Sequence, residues 1–423
     1  MARIVLNTFG SFGDLHPYLA VALGLKQRGH EAIIATSEVY RSKVEGEGLE
    51  FHPVRPDVGE LLGNDEFIKK LWHPKLGTEY LVREYIMPRV AEGFEDLSGA
   101  CEDTDLLLTH AVGYAGPLVA EQKKLPWLSV ALQPAAFLSA YDPPVLAPAP
   151  WLRRLRLFGP GIVAAAFSIG KRMTAQWAEP IRELRKRIGL PTTNVNPIFE
   201  GQFSPLGTLA LFSSHFAKPQ PDWPENAVCT GFPFYDRESS GKEMESGLAE
   251  FLDAGSPPVV FTLGSSAVMA PGQFFEESMK AAQRLQVRAV LLVGVQTTAA
   301  SNVSDSVYAA RYAPYSELLP RAAVTVHQGG IGTTAQALRA GRPMLVVPWA
   351  HDQPDNAYRI RKLDVGRSLK RSRYTARNVA AQLDRLLSDG RYTVSADLLK
   401  SKIAGEDGVG AACSAIEAAL HRC

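Results

Sequence analysis

Short apolar runs alternate with longer amphipathic stretches along most of the chain. Residues 2–8 read as a strand, 9–17 as a glycine-rich turn and 18–28 as an amphipathic helix with Pro17 near its first turn. Gly29 stops that helix, and 31–36 is a second strand. A strand–helix–strand opening predicts a parallel sheet. Residues 72–97 are a long helical candidate, and further strands read at 106–109, 127–132 and 208–213. The run Lys218-Pro219-Gln220-Pro221-Asp222-Trp223-Pro224 then breaks all periodicity. Beyond it the pattern restarts, with strands at 258–263, 288–293, 323–326 and 342–348 and helices at 273–285, 375–387 and 411–420. The expected division is a first domain over 1–218, a linker over 219–235, a second domain over 236–405 and a terminal helix within 406–423.

The densest chemistry lies between residues 312 and 366. The strand 323–326 ends at His327, and Gln328-Gly329-Gly330-Ile331-Gly332-Thr333-Thr334 opens a helical pattern. Glycines let a backbone approach a ligand closely. The first N–H groups of a helix are unpaired and partly positive, so an anion sits well there. Thr333 and Thr334 add hydroxyl donors. No Lys-Ser/Thr follows the glycines and the spacing is not G-x-G-x-x-G, so this is neither a P-loop nor a dinucleotide fingerprint. The strand 342–348 runs into Trp349-Ala350-His351-Asp352-Gln353. Ligands of open α/β sheets bind at such strand ends, and Asp352 and Gln353 suit sugar hydroxyls.

The first turn carries a second candidate. Asp14, just before a helix that begins with Pro17, is a natural N-cap. In an apolar pocket its carboxyl would rise from about 3.9 and could act as a general base. His16 competes for that role because imidazole titrates near neutrality; otherwise it is a solvent-facing histidine. Phe12 in the turn, His110 after the strand 106–109 and Phe137 after the strand 127–132 are candidates to line an acceptor pocket. Asp103-Thr104-Asp105 precedes its strand instead of ending one, and reads as solvated strand entry, not as a metal site.

The 312–366 stretch resembles the donor-binding signature of the UDP-glycosyltransferase superfamily, glycosyltransferase family 1. Plant members carry W-A-P-Q … T-H-C-G-W-N-S-x-x-E … D-Q, and bacterial members H-H-G-G-x-G-T-T … D-Q-P. The first turn is similar to the bacterial G-x-x-G-D-x-x-P. This resemblance implies an α/β chain of GT-B fold, with two Rossmann-like domains whose parallel sheets face across a cleft. The first domain would take the acceptor, the second the nucleotide sugar, and the terminal helix would return to the first. Tyr312-Ala313-Pro314 would meet the nucleotide base. Ser265 and Ser266 would lie with His327, Gln328, Gly329, Gly330, Gly332, Thr333 and Thr334 around the diphosphate, and Asp352 and Gln353 on the sugar. Asp14 stands on the position of the plant catalytic histidine.

Two departures from the signature matter. Gln328 replaces the histidine that usually touches the phosphates and adds no charge, so the cradle leans on His327 and on backbone amides. Gln336 replaces the glutamate that plant enzymes use on the ribose, which leaves room for a dTDP-sugar beside a UDP-sugar. The His351-to-Ala357 run is similar to bacterial rhamnosyltransferases that use dTDP-rhamnose, and the whole resembles macrolide- and sterol-type enzymes. The implied activity is inverting, metal-independent transfer of a hexose, from dTDP-rhamnose or UDP-glucose, to a hydroxyl of a hydrophobic small molecule or lipid. A GT-B nucleotide-sugar epimerase would turn donor over without acceptor. A non-catalytic sugar-nucleotide-binding partner protein would bind it without turnover.

With 423 residues, the chain exceeds what one core fills. The net charge of +1 with 21% charged residues gives no basic face for nucleic acid. Cys101, Cys229, Cys413 and Cys423 show no metal spacing, and reduced thiols in a cytoplasmic protein are expected. The first residues turn polar after Leu6, unlike a signal peptide. Residues 151–188 are apolar and basic with very few acids. They read as a helical cover with solvated arginines, or as a segment in peripheral contact with a membrane.

Overall fold

The computed structural model describes residues 1–61, 64–236, 244–294 and 301–422. The chain divides into two units, one of Met1–Tyr235 with Glu406–Cys423, the other of Asp236–Gly405.

The first unit is built on seven strands: β1 (Arg3–Asn7), β2 (Glu31–Thr36), β3 (Glu50–Pro53), β4 (Leu106–His110), β5 (Trp127–Ala131), β6 (Thr208–Ala210) and β7 (Ala227–Cys229). All pair in parallel, in the order β3-β2-β1-β4-β5-β6-β7. The central strands β1 and β4 bury Ile4, Val5, Leu6, Leu106, Leu107 and Leu108. Continuous apolar runs are what a parallel sheet covered on both faces requires. The strand order reverses between β1 and β4, which makes their carboxyl ends the switch point of this sheet.

Helix α1 spans Phe12–Gln27, so it begins well before the expected residue 18 and takes Pro17 into its second turn. The cause is a capping box. Ser11 Oγ accepts the Gly13 N–H at 3.2 Å, and Asp14 Oδ2 accepts the Ser11 N–H at 2.7 Å. These bonds offset the loss of one helical bond at Pro17. Asp14 is therefore the third helical residue and Ser11 is the N-cap, which corrects the sequence reading of Asp14 as the cap itself.

The expected long helix over 72–97 is not one rod. It is replaced by a short turn (Gly77–Glu79), a π-helical segment (Tyr80–Ile86), a 3-10 turn containing Pro88 (Met87–Arg89) and an α-helix (Val90–Ala100). Pro88 cannot supply the backbone N–H that an uninterrupted α-helix needs. Asp105 Oδ2 accepts the Arg3 N–H at 2.7 Å, so this residue of the Asp103–Asp105 run ties the start of β1. A 3-10 segment (Pro150–Phe158) and helix α2 (Pro160–Met173) follow, turned at Gly159.

In the second unit the strands are β8 (Val259–Thr262), β9 (Ala289–Leu292), β10 (Ser301–Ser304), β11 (Val307–Ala310), β12 (Val324–His327), β13 (Met344–Val346) and β14 (Gly366–Ser368). Their order is β10-β11-β9-β8-β12-β13-β14, parallel except for the β10–β11 hairpin. Here the switch point falls between β8 and β12. Helix α3 (Ile331–Ala340) follows β12, and helix α4 (Gln353–Lys362) follows β13. The terminal helix α5 (Gly408–Leu420) packs on α1. Glu417 pairs with Arg28 at 2.7 Å and lies 3.2 Å from His30, and a Cβ at Gly24 would collide with Val409 and Cys413.

Candidate active site

Each switch point gathers polar groups. In the first unit, α1 leaves β1 so that its first turn crosses the sheet edge beside the end of β4. Asp14 is half-buried there. Burial pushes its carboxyl up, while the nearby His110 and the Ser11 hydrogen bonds pull it down; the net shift is upward. Ser11 Oγ also donates to Asp14 Oδ2 at 3.1 Å. Gly10 permits this packing: its φ is +133°, and a Cβ would strike the Asp14 carboxylate.

His110 is buried at the end of β4. Burial pushes its imidazole down, against the charge of Asp14 and a Phe9 backbone contact. It therefore stands next to Asp14 as a neutral group. His16, two residues on in the helix, points about 200° away from Asp14. Its ring lies 5.3 Å from Phe12 and 4.9 Å from Tyr235, and burial pushes its pKa down to about 4. Near neutrality it is therefore uncharged. Phe12 is exposed and its ring also contacts Tyr40 at 5.2 Å. Phe137 lies in an aromatic cluster. It is 7% exposed and packed on Trp223, Phe203 and Phe212 at 4.3, 5.7 and 6.2 Å, so it is core rather than pocket wall.

In the second unit two glycine turns meet. The turn after β8 is a short helical piece, Gly264–Ala267, with Gly264 at φ +65°. Ser265 is exposed on it and Ser266 is half-buried. After β12, Gly329 takes φ +93° and Gly330 is the N-cap of α3. A glycine cap has no side chain to satisfy the first N–H groups, so those of Ile331, Gly332 and Thr333 are left without a side-chain cap. The Gln328 side chain threads between the turns: its Nε2 stands 2.5 Å from where a Gly264 Cβ would be and 2.9 Å from that of Gly330. Its Oε1 is buried and has no hydrogen-bond partner among the described residues. Thr333 Oγ1 approaches the same Gly264 position at 3.3 Å.

Three expected contacts fall inside the fold. His327 is fully buried, and its Nδ1 accepts the Gly329 N–H at 3.1 Å. Burial pushes its pKa down to about 3, so it shapes the turn and supplies no charge to the cradle. Thr334 is fully buried as well, and its hydroxyl has no hydrogen-bond partner among the described residues. Gln353 is 3% exposed, and its Oε1 accepts the Trp349 and Ala350 N–H groups at 2.7 and 3.2 Å. It braces the β13–α4 turn.

Asp352 remains partly exposed at the N-cap of α4. Asn356, one turn on, donates from Nδ2 to Asp352 Oδ2 at 2.7 Å and to the Gly329 carbonyl at 2.8 Å. Sequence reasoning missed Asn356, although its i+4 spacing from Asp352 was readable. Tyr312 is half-buried after β11, Pro314 is buried at the cap of the short helix Tyr315–Leu318, and Gln336 is half-buried on α3. The capping role of Ser11 was also missed; S-x-x-D is the signal that would have found it.

Among the described residues, no group of three or more His, Cys, Asp or Glu is placed to hold a metal ion. No helix of the described residues is long and apolar enough to cross a membrane.

A family model described as Glycosyltransferase family 28 N-terminal domain matches residues 4–141. Another, Erythromycin biosynthesis protein CIII-like, C-terminal domain, matches residues 276–408. The chain is 31% identical over 428 residues to O-mycaminosyltylonolide 6-deoxyallosyltransferase of Streptomyces fradiae, covering 98% of this chain and 97% of that protein. It is 25% identical over 433 residues to sterol 3-beta-glucosyltransferase of Komagataella phaffii, covering 97% of this chain but only 34% of that longer protein. Among solved structures, a Streptomyces sp. SF2575 glycosyltransferase complexed with thymidine diphosphate matches with a TM-score of 0.64 at 20% identity, over 99% of both chains. With that fold and these relatives, the chain belongs to the UDP-glycosyltransferase superfamily, glycosyltransferase family 1, and is a glycosyltransferase of GT-B fold.

Proposed function

We propose that the protein transfers a deoxyhexose from a dTDP-sugar, with inversion, to a hydroxyl of a hydrophobic small molecule such as a macrolide or sterol-like lipid. The observation that carries this reading is Asp14. Its carboxyl is pushed up by burial beside the end of β4, as a general base working near neutrality needs. Oδ2 takes the Ser11 bonds, which leaves Oδ1 to accept the proton of the attacking hydroxyl.

The donor lies on the second unit. Its diphosphate meets the uncapped start of α3, the Gln328 amide and the Ser265 turn; its base meets Tyr312 and its sugar meets Asp352. The helix N-terminus stabilises the departing diphosphate without a cation, so transfer should persist in chelator. Thymidine as the base is supported by Gln336 in place of a ribose-binding glutamate and by the thymidine diphosphate held by a structural relative. A deoxysugar is supported by the 6-deoxyallosyl transfer named for the Streptomyces fradiae relative.

The test is Asp14→Asn. Asparagine keeps an oxygen for the Ser11 N–H, so the capping box survives, while the proton acceptor is lost. Transfer should fall about 100- to 10,000-fold with donor affinity near wild type. Retained transfer would remove Asp14 from the mechanism. A second readout separates catalysis from folding. A carboxyl whose folded pKa is raised loses stability as pH rises from its unfolded value through its folded one. Asp14→Asn should therefore unfold at a higher temperature than wild type at neutral pH. Calorimetric titration with dTDP, UDP, dTDP-rhamnose and UDP-glucose tests the donor; tighter binding of the UDP pair would overturn the thymidine assignment.

A further inference from the structure

Residues 150–173 form an outlying piece of the first unit. The 3-10 segment and α2 pack mainly on each other, around a small cluster of Ala140, Val163 and Phe167. Val163 and Phe167 occupy one stripe of α2. Ile162, Ile169 and Met173 form a second stripe, about 120° around the helix, and all three are exposed. In the 3-10 segment, residues three apart eclipse each other. Trp151, Arg154 and Leu157 therefore share one line, and all three are exposed. Phe158 lies beside them. Leu157 is 79% exposed, Phe158 73% and Met173 77%.

The charge this segment itself carries is of one sign, and Glu200 pairs with Lys171 from outside it at 3.0 Å. Between Asp142 and Glu179 the sequence holds no acid and five cations: Arg153, Arg154, Arg156, Lys171 and Arg172. Arg153 is buried against Asp142 at 3.0 Å, whereas Arg154, Arg156 and Arg172 are exposed. Apolar side chains fringed by cations, with an aromatic pair among them, match an anionic lipid surface: the apolar groups enter the acyl boundary and the guanidinium groups stay among the headgroups. A second copy of this chain fits less well, because a two-fold contact would set the exposed Arg154, Arg156 and Arg172 against their own copies.

We propose that the 150–173 surface seats the protein peripherally on a bilayer containing anionic lipid. The proposal does not rest on the donor or the base assigned above. It would bring the first unit to the phase in which a hydrophobic acceptor dissolves.

The full chain is sedimented with vesicles of phosphatidylcholine alone and with vesicles that also contain phosphatidylglycerol. Binding should be confined to the second kind and should fall with added salt. Arg154→Gln should weaken it about fivefold, and the double variant with Arg172→Gln about twenty-five-fold. The Leu157→Ser, Phe158→Ser double variant should reduce it to background, with an unchanged unfolding midpoint because both side chains are exposed. Equal binding to both vesicle types, no binding to either, or wild-type binding by the charge variants would overturn the proposal. So would a wild-type dimer in sedimentation without lipid that Leu157→Ser, Phe158→Ser converts to monomer, since a second copy would then cover the surface.

Discussion

Asn356 joins the Gly329 turn to Asp352, the two parts of the proposed donor cradle, and removing it should damage both at once. The residue is 1% exposed. Its Nδ2 satisfies the Gly329 carbonyl at 2.8 Å and one oxygen of Asp352 at 2.7 Å. In Asn356→Ala the Gly329 carbonyl is left buried without this donor, at a cost of about 1–3 kcal/mol, and a bond to a charged group worth about 1.5–3 kcal/mol is lost. Asn356 Oδ1 is itself buried without a partner, so removing it returns part of that sum. A net loss of about 2–4 kcal/mol is expected, which lowers the unfolding midpoint by roughly 5–15 °C. Calorimetry measures this directly. Titration then separates the parts. Asp352→Ala should weaken a nucleotide sugar more than bare thymidine diphosphate, because the role proposed for Asp352 is on the sugar. Asn356→Ala should weaken both, because the Gly329 turn relaxes as well. Asn356→Asp should be worse than alanine at neutral pH and improve as pH falls, since it sets a second carboxylate against Asp352. A stability change within about 0.5 kcal/mol, or an Asn356→Ala variant that discriminates as Asp352→Ala does, would refute the bridge.

Three further outcomes follow from the packing. Gly264→Ala should abolish nucleotide binding and destabilise the second unit, because φ there is +65° and a Cβ would displace the Gln328 amide; binding within a few-fold of wild type in a titration would contradict it. Phe137→Ala should cost about 3–5 kcal/mol by opening the cluster with Trp223, Phe203 and Phe212, yet leave the ranking of acceptors unchanged in a competition assay. His16 and His327 are held neutral down to about pH 4 and about pH 3 respectively, so folding must exclude their protonated forms. Depressed histidines give stability that is present above the unfolded pKa and lost as pH falls below it. Denaturation midpoints should therefore drop below about pH 6.5, at up to about 1.4 kcal/mol per pH unit for each histidine, and His16→Phe should remove one share of that slope.

Most of the architecture was readable because it depends on properties averaged over several residues. The runs Ile4–Leu6, Leu106–Leu108 and Val324–Val326 are buried strands whatever their neighbours do. The restart of strand–helix alternation in the second half of the chain needed no single residue to be right. The failures came where one bond decides. Ser11 and Asp14 satisfy each other's donors and start α1 at Phe12, ahead of the proline that sequence reasoning took as the first turn. Pro88 breaks the stretch over 72–97, where periodicity alone reads as one helix.

The site shows the same division more sharply. Glycines announce a turn because their chemistry lies in the backbone, so Gly10, Gly264, Gly329 and Gly330 mark the two switch points. A polar side chain at a strand end has two destinations, the ligand or the turn's own orphan N–H groups, and composition does not separate them. Gln353 looks like a sugar contact, yet His351 at φ +58° folds the turn so that the amide oxygen meets the Trp349 and Ala350 N–H groups. His327 looks like a phosphate ligand, yet Gly329 at φ +93° turns its own N–H onto the ring. In both cases a residue with positive φ, two positions away, chooses the inward partner. Asp352 escapes because the donor it meets comes from Asn356 on the helix, not from the turn, and so the carboxylate stays partly exposed at the cap of α4.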